Sequence, residues 1–232
     1  MPSRPLRTAR LAGAFYLVVG IGAGWSQLVV RRGLDVDGDP AQTAQAIRDH
    51  AAAMRLAFAA DLTAFTCFMV TALLLFALFR HVELDLAVGF LVPAAIAVVI
   101  QSVSMVLHGG ALLVATGSWP GSDETAVLLL DMHTLSNTIA QIFFGLWLLP
   151  LGSVVIRSGY VPKVLGYLLV VGGLGYLIDI LVQFTVGADP DTTLVFSSVG
   201  GLAEVVFLLW LLVRGVRVPA PSGRVDRVPL VA

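Results

Sequence analysis

Read by hydropathy alone, the chain alternates between long apolar runs and short polar breaks. Crossing about 30 Å of hydrocarbon takes roughly 20 helical residues. Six runs meet that length, at 11–30, 56–79, 87–115, 126–150, 164–186 and 194–213. The breaks between them are short except for 31–55, and short connections make sequential helices antiparallel neighbours. The pattern therefore predicts an all-α fold: a polytopic transmembrane bundle of six helices over 1–213, with a short amphipathic helix in the first outer loop. The tail 214–232 is rich in Arg, Val and Pro without helical periodicity and is expected to be disordered and cytoplasmic.

The outer loop 31–55 carries its own signals. Asp39-Pro40 reads as an N-cap followed by proline at the first helical position, with Gln42 in the place of a capping-box partner. A short helix is expected from there to about His50, with Ala44, Ile47 and Ala51 on one face. Its plainest reading is an interfacial helix on the outer leaflet, and the sharper one a lid over an outward-facing cavity. Asp35, Asp37 and Asp39 resemble the start of a calcium loop. Pro40 stands where that motif needs glycine and Ala46 where it needs glutamate, so calcium is rejected.

Composition agrees with a membrane protein: 58% of the 232 residues are hydrophobic and only 12% are charged, against about a quarter in soluble domains. The net charge of −1 offers neither a basic excess for nucleic acid nor an acidic excess for disorder. The single Cys67 excludes an intramolecular disulfide and cysteine-cluster metal sites. Arg4, Arg7, Arg10, Arg80, Arg157, Lys163, Arg214, Arg217, Arg224 and Arg227 fall on one side, and Arg31, Arg32, Arg48 and Arg55 on the other. That asymmetry predicts a cell-membrane protein with both termini cytoplasmic, and Asp123, Glu124, Asp189 and Asp191 on the opposite side agree with it. Residues 1–30 imitate a signal peptide, but their apolar run is longer than a typical signal core. The turn from Arg157 to Lys163 reads as a topology anchor, with partner recognition as its alternative. Trp25, Trp119, Trp147 and Trp210 lie near expected span ends and read as interfacial anchors.

Within the spans the pattern finds no Lys or Arg, yet it finds Asp61, Asp131, Asp179 and Glu204. A central carboxylate costs about 2.5–3.5 kcal/mol on insertion scales. Each must therefore be protonated, hydrated, hydrogen-bonded or bound to a cation. At about 1.5 Å of rise per residue, these acids and His108 and His133 all fall about 8–16 Å below the outer boundary, in one layer. Helical phase aligns Gln101, Ser104 and His108 in the third span, Tyr176, Asp179 and Gln183 in the fifth, and Ser197, Gly201 and Glu204 in the sixth. The fourth span is polar on two faces, with His133, Asn137 and Gln141 on one and Asp131 toward another, which places it inside the bundle. In the first span Gly20 and Gly24 form a small-xxx-small surface suited to close helix packing. The expectation is a polar pocket toward the outer leaflet built from Asp61, Gln101, His108, Asp131, His133, Asn137, Tyr176, Asp179, Gln183 and Glu204.

These residues carry a family likeness. Ala9-Arg10-Leu11-Ala12-Gly13, Ala60-Asp61-Leu62, the run Leu130-Asp131-Met132-His133 through Phe143-Phe144-Gly145-Leu146, Arg157 to Lys163, and Gly175-Tyr176-Leu177-Ile178-Asp179 resemble the bacterial membrane-protein family catalogued as domain of unknown function 4386. The resemblance covers most of the chain apart from the tail, and the block from 130 to 179 is specific. It implies a six-helix integral membrane protein and brings no established activity.

Four functional readings follow. Proton- or cation-coupled handling of a small solute takes the intramembrane acids as relay or cation sites. A membrane-embedded metal-dependent enzyme acting on lipid would use His108, His133, Asp61 and Asp179 as a nitrogen and oxygen set suited to zinc. Haem between His108 and His133 needs opposed imidazoles across an apolar slot and is the weakest. A ligand-binding or sensor protein would use the same pocket. Against all of them stands interhelical glue, in which each polar group only bonds its neighbour.

Overall fold

Each apolar run folds into one helix that is longer than hydropathy alone marks. In the computed structural model α1 spans Arg4–Gly24 and continues without a break into a π-helical segment, Trp25–Arg31. The others are α2, Pro40–Asp49; α3, Ala51–Phe79; α4, Leu84–Ala115; α5, Asp123–Ser158; α6, Lys163–Val186; and α7, Pro190–Val213. The structure describes residues 4–34, 39–187 and 190–217. Asp35, Asp37, Asp189 and the tail beyond Arg217 lie outside them, as does the side chain of Asp191. All regular elements among the described residues are helical, and six are long and apolar enough to cross a bilayer. Their outward surfaces are apolar, with Val99, Val103, Val106, Val164, Phe184 and Leu202 more than half exposed. In water such a surface would drive association, whereas against lipid it is the stable arrangement. This is a multi-pass membrane protein.

The extra length has local causes. Pro93 and Pro150 lie inside α4 and α5 without ending them, as proline does where neighbouring helices re-satisfy the freed backbone. The start of α5 is fixed by a capping box between Ser122 and Thr125, and its end by Gly159 at φ 66°. α3 packs on α1 and α4, α5 on α4 and α6, and α7 on α6 and α1, which closes the six spans into a ring. Close approach is sharp between α6 and α7, where a Cβ on Gly175 would lie 2.4 Å from the Phe196 carbonyl oxygen, and between α5 and α6, where one on Gly152 would lie 2.6 Å from the Gly166 carbonyl oxygen. Among the described residues the expected Gly20 and Gly24 surface packs no helix, since neither glycine has a neighbour within 4 Å of a Cβ position. Instead Gly13 lies against the backbone of α7 at Leu212, and Gly22 against the Ala60 carbonyl of α3.

Two apolar cores fill the ring, and a polar layer separates them. One lies beneath α2 and contains Ile47, Met54, Ala57, Ala111, Ala126 and Leu130. The other reaches the end carrying the α3–α4 and α5–α6 turns and contains Phe68, Phe79, Phe90, Trp147, Leu151 and Phe207. The order repeats on three helices: Met54 and Ala57, then Asp61, then Phe68 on α3; Ala111, then His108, Ser104 and Gln101, then Phe90 on α4; Ala126 and Leu130, then His133, then Trp147 on α5. Below, these ends are the α2 end and the turn end.

α2 is not an interfacial helix facing lipid. Its apolar face, Thr43, Ala44 and Ile47, is buried against α5, α4 and α3. The expected N-cap forms: Asp39 Oδ1 accepts from the Gln42 backbone N–H at 3.0 Å, and its Oδ2 from Gln42 Nε2 at 2.7 Å. The Gln42 bonds hold the Asp39 carboxyl below the usual aspartate range. Arg48 Nη1 donates to Asp123 Oδ1 at 2.7 Å and clasps α2 to the start of α5, which raises the guanidinium pKa further. At the other end, the expected tail begins as an ordered strap. Val216 is buried in the turn-end core, and Arg217 N–H donates to the Tyr160 carbonyl at 3.0 Å.

Candidate functional site

The polar layer is built around an arginine that hydropathy leaves outside the membrane. In an α-helix, residues five apart point about 140° away from each other. A π-helix bonds i to i+5 and brings them one above the other, and here Arg32 N–H bonds the Gln27 carbonyl at 3.2 Å in that pattern. Ser26 and Arg31 consequently face the same way and converge on Asp61 of α3. Ser26 Oγ donates to Asp61 Oδ2 at 2.8 Å, and Arg31 Nη1 donates to the same oxygen at 2.6 Å. Arg31 is 7% exposed and Asp61 1%. The expectation of a carboxylate without an intramembrane cation is thus corrected at Asp61: the first span is longer and locally unwound, and it carries its own counter-ion inward.

Both histidines join this group, each with one nitrogen as donor and the other as acceptor. His108 Nε2 lies 3.1 Å from the Met54 carbonyl, which can only accept, so the proton sits on Nε2 and Nδ1 faces Arg31 Nη1 at 3.5 Å. His133 is in the opposite tautomer: Nδ1 donates to the Ser104 carbonyl at 3.1 Å, and Nε2 accepts from Asn137 Nδ2 at 3.1 Å. The rings meet edge to face, with centroids 5.4 Å apart. Asp61, His108, His133 and Asn137 are therefore brought together. Gln101 and Gln141 extend the file by one turn on α4 and α5.

Among the described residues, four buried polar atoms of this file have no hydrogen-bond partner: Arg31 Nη2, Gln101 Oε1, Asn137 Oδ1 and Gln141 Oε1. Leaving such a group dry costs about 1–3 kcal/mol, more when it is charged, so they mark where the layer is incomplete.

The remaining expected residues lie elsewhere. Glu204 is about 21 Å of helical rise from the start of α7, against about 15 Å for Asp61 in α3, so the single layer divides in two. Tyr16 of α1 donates to Glu204 Oε1, Tyr176 of α6 donates to Oε2 at 2.9 Å, and Trp147 Nε1 of α5 lies 3.4 Å from Oε1. Gly200 makes room for the Tyr176 ring, since a Cβ there would lie 2.5 Å from Cε2. Trp147 is fully buried and packs against Phe68, Phe90 and Tyr16 at centroid distances of 5.0–6.0 Å. It is a central plug and not the interfacial anchor expected from its place near a span end. Asp179 forms a third group between α6 and α7: Gln183 Nε2 donates to its Oδ1 at 2.8 Å and to Thr193 Oγ1 at 3.0 Å. Asp131 lies on the exposed face of α5, two residues and nearly half a turn from His133.

This arrangement overturns the zinc set. Asp179 bonds Gln183 while Asp61 bonds Arg31, and no group of three or more His, Cys, Asp or Glu side chains among the described residues could hold a metal ion. The free nitrogen of His108 faces a guanidinium, which repels a cation. The two imidazoles pack against each other and leave no slot between them for haem. Ser26 is not marked by the hydropathy pattern, and Arg31 and Trp147 are marked there only as an outer-side arginine and an interfacial anchor. Arg31 follows the marked end of its span by one residue, and the usable signal was that Ser26 lies five residues before it.

A family model described as domain of unknown function (DUF4386) matches residues 11–215. An uncharacterized protein of Archaeoglobus fulgidus is 39% identical over 77 residues. That match spans 33% of this chain and 44% of the relative, so the chain covers less than half of the curated relative's length. No solved structure matches the chain.

Proposed function

We propose, for a chain that belongs to the family described as domain of unknown function 4386, that the polar layer beneath α2 binds a small polar solute in a proton-linked manner. The observation that carries this is the set of four unpartnered atoms around the file, one cationic donor and three amide oxygens. Interhelical glue would leave few such atoms, because glue consists of satisfied pairs. A matching solute presents an acceptor, such as a carboxylate, to Arg31 Nη2, and hydroxyl or ammonium donors to Gln101, Asn137 and Gln141. Amino acids and small hydroxy acids have that chemistry. Buried hydrophobic residues of α2 cover the layer, and α2 then acts as the lid.

The ion pair favours a proton over a metal cation as the coupling species. A metal would have to displace the Arg31 guanidinium from Asp61, whereas a proton on Asp61 removes the attraction and frees Arg31 for the solute. Arg4, Arg7, Arg10, Arg80, Arg157, Lys163, Arg214 and Arg217 at the turn end support a cytoplasmic turn end and an α2 end facing out of the cell. Of the four arginines toward the α2 end, Arg31 is buried on Asp61 and Arg48 is paired with Asp123, which strengthens the asymmetry. The central plug separates the layer from the turn end, so passage would require Trp147 to move.

The test is uptake of labelled amino acids and hydroxy acids into proteoliposomes under an imposed pH gradient. Gradient-dependent uptake that is lost in Arg31→Gln and Asp61→Asn, and kept in the turn-end variant Glu83→Gln, is the expected result. Uptake equal to that of protein-free vesicles for every solute, with no solute shifting the unfolding temperature of the purified protein, overturns the reading.

A further inference from the structure

At the opposite end of the bundle, a recess of about 560 Å³ lies between α1, the α5–α6 turn and the strap that follows α7. Its lining includes Arg10, Arg214 and Arg217 together with Tyr160, Trp210 and Val213. Backbone bonds form its walls. Gly215, at φ 67°, ends α7 with its N–H and that of Arg214 both on the Trp210 carbonyl, at 3.0 and 2.8 Å. The chain then turns inward at buried Val216, and Arg217 is tied to Tyr160 through its backbone N–H. None of the three guanidiniums is needed to hold this shape.

The lack of a carboxylate partner sets them apart from Arg31, Arg48 and Arg157. Arg31 pairs with Asp61, Arg48 with Asp123 and Arg157 with Glu83. Arg10 makes only a long contact, 3.5 Å, to the Val213 carbonyl, and no carboxylate among the described residues pairs with Arg10, Arg214 or Arg217. The general excess of basic residues on cytoplasmic faces accounts for how many there are. It does not account for three of them around one walled recess, with a tryptophan and a tyrosine beside them.

We infer that this recess binds a phosphate-bearing anion, either the headgroup of an anionic phospholipid or a soluble phosphate ester. Guanidinium forks match phosphate oxygens in pairs, and basic recesses between membrane helices suit such headgroups. The volume is that of a small-molecule site, larger than inorganic phosphate alone requires. Val213, 65% exposed, puts an apolar rim at the edge of the recess where acyl chains would run. Trp210 and Tyr160 are the residue types that settle at headgroup level.

The experiment uses the full chain in neutral detergent and in nanodiscs. Inorganic phosphate, a soluble glycerol phosphate, phosphatidylglycerol and phosphatidylcholine are each added, and the unfolding temperature and bound lipid by native mass spectrometry are read. The expected result is stabilisation by phosphatidylglycerol over phosphatidylcholine. It should be at least about tenfold weaker in affinity in the triple variant Arg10→Gln, Arg214→Gln, Arg217→Gln. The charge-matched variant Arg4→Gln, Arg7→Gln, Arg80→Gln on the same face should bind as the parent does. Stabilisation by glycerol phosphate to the same extent identifies a soluble ester as the ligand, and stabilisation by the lipid alone identifies a headgroup. The triple Arg→Lys variant keeps the charge and guards against misfolding; it should bind more weakly than the parent because it lacks the forks. Equal loss in both Gln variants, or no preference for any phosphate over chloride and phosphatidylcholine, overturns the inference.

Discussion

Asp61 and Glu204 are both carboxylates inside the ring, and the protein accommodates them in opposite ways. Asp61 is held by a cation, Arg31, delivered from the π-helical end of α1, and its surroundings keep four polar atoms without partners. Glu204 is held by neutral donors from Tyr16, Tyr176 and Trp147, each on a different helix, and none of these atoms is left unsatisfied. An acid inside a membrane bundle is therefore not in itself a mark of function. Glu204 behaves as a fastener that joins four helices around the plug. The Asp61 layer is the incomplete one, and incompleteness at an energetic cost is what points to a ligand.

The comparison breaks most readily at the ion pair. Removing one member of a buried pair strands the other charge and typically costs about 3–5 kcal/mol, while replacing both by apolar residues is close to neutral. Asp61→Leu and Arg31→Met should each destabilise strongly in a detergent unfolding titration, and the double variant should recover most of the loss. Additive losses would show that the two do not act as a pair. At the Glu204 site the effects should be smaller and separable. Tyr176→Phe deletes one hydrogen bond to a part-buried carboxylate, for a loss of about 1.5 kcal/mol. Gly200→Ala should cost about 1–3 kcal/mol by overpacking, because its Cβ would meet the Tyr176 ring at 2.5 Å. Combining it with Tyr176→Ala should relieve part of that cost.

Hydropathy located all six spans because it reads depth along a helix, and the cost of apolar exposure is large and additive. It located the Asp39-Pro40 cap because capping is local chemistry. It does not read rotation about the ring, and for that reason the expected pocket takes in Asp131 although its phase already sets it on another face from His133, Trp147 reads as an interfacial anchor, and Gly20 and Gly24 read as a packing surface that is instead made by Gly13 and Gly22. The π-helical turn was invisible for a related reason: it changes which residues share a face without changing composition. Arg31 next to Arg32 looks like an ordinary loop boundary until Ser26 and Arg31 are placed on one side.

The smallest expected effects concern α2. The Asp39 cap can be titrated without touching the ring. Its carboxyl is held below the ordinary aspartate range by the bonds from Gln42, so the folded state favours the ionised form. The cap's contribution is complete above the ordinary range, near pH 4. It is lost as pH falls through the lowered folded value, when protonation removes the acceptor charge. A nitroxide attached through Ala41→Cys, with Cys67→Ser to leave one thiol, should report growing mobility of the start of α2 at acid pH. Asp39→Ala should show that mobility already at neutral pH and lose the pH dependence. Arg48→Gln should loosen the far end of α2 and leave the Asp39 titration in place, because the clasp to Asp123 and the cap act at opposite ends of one short helix. Under the proposed function α2 would open by releasing the clasp while the cap keeps it helical, so proton-linked solute uptake should respond to Arg48→Gln more than to Asp39→Ala. The reverse order would make α2 a fixed cover and place the gate at the Arg31 turn.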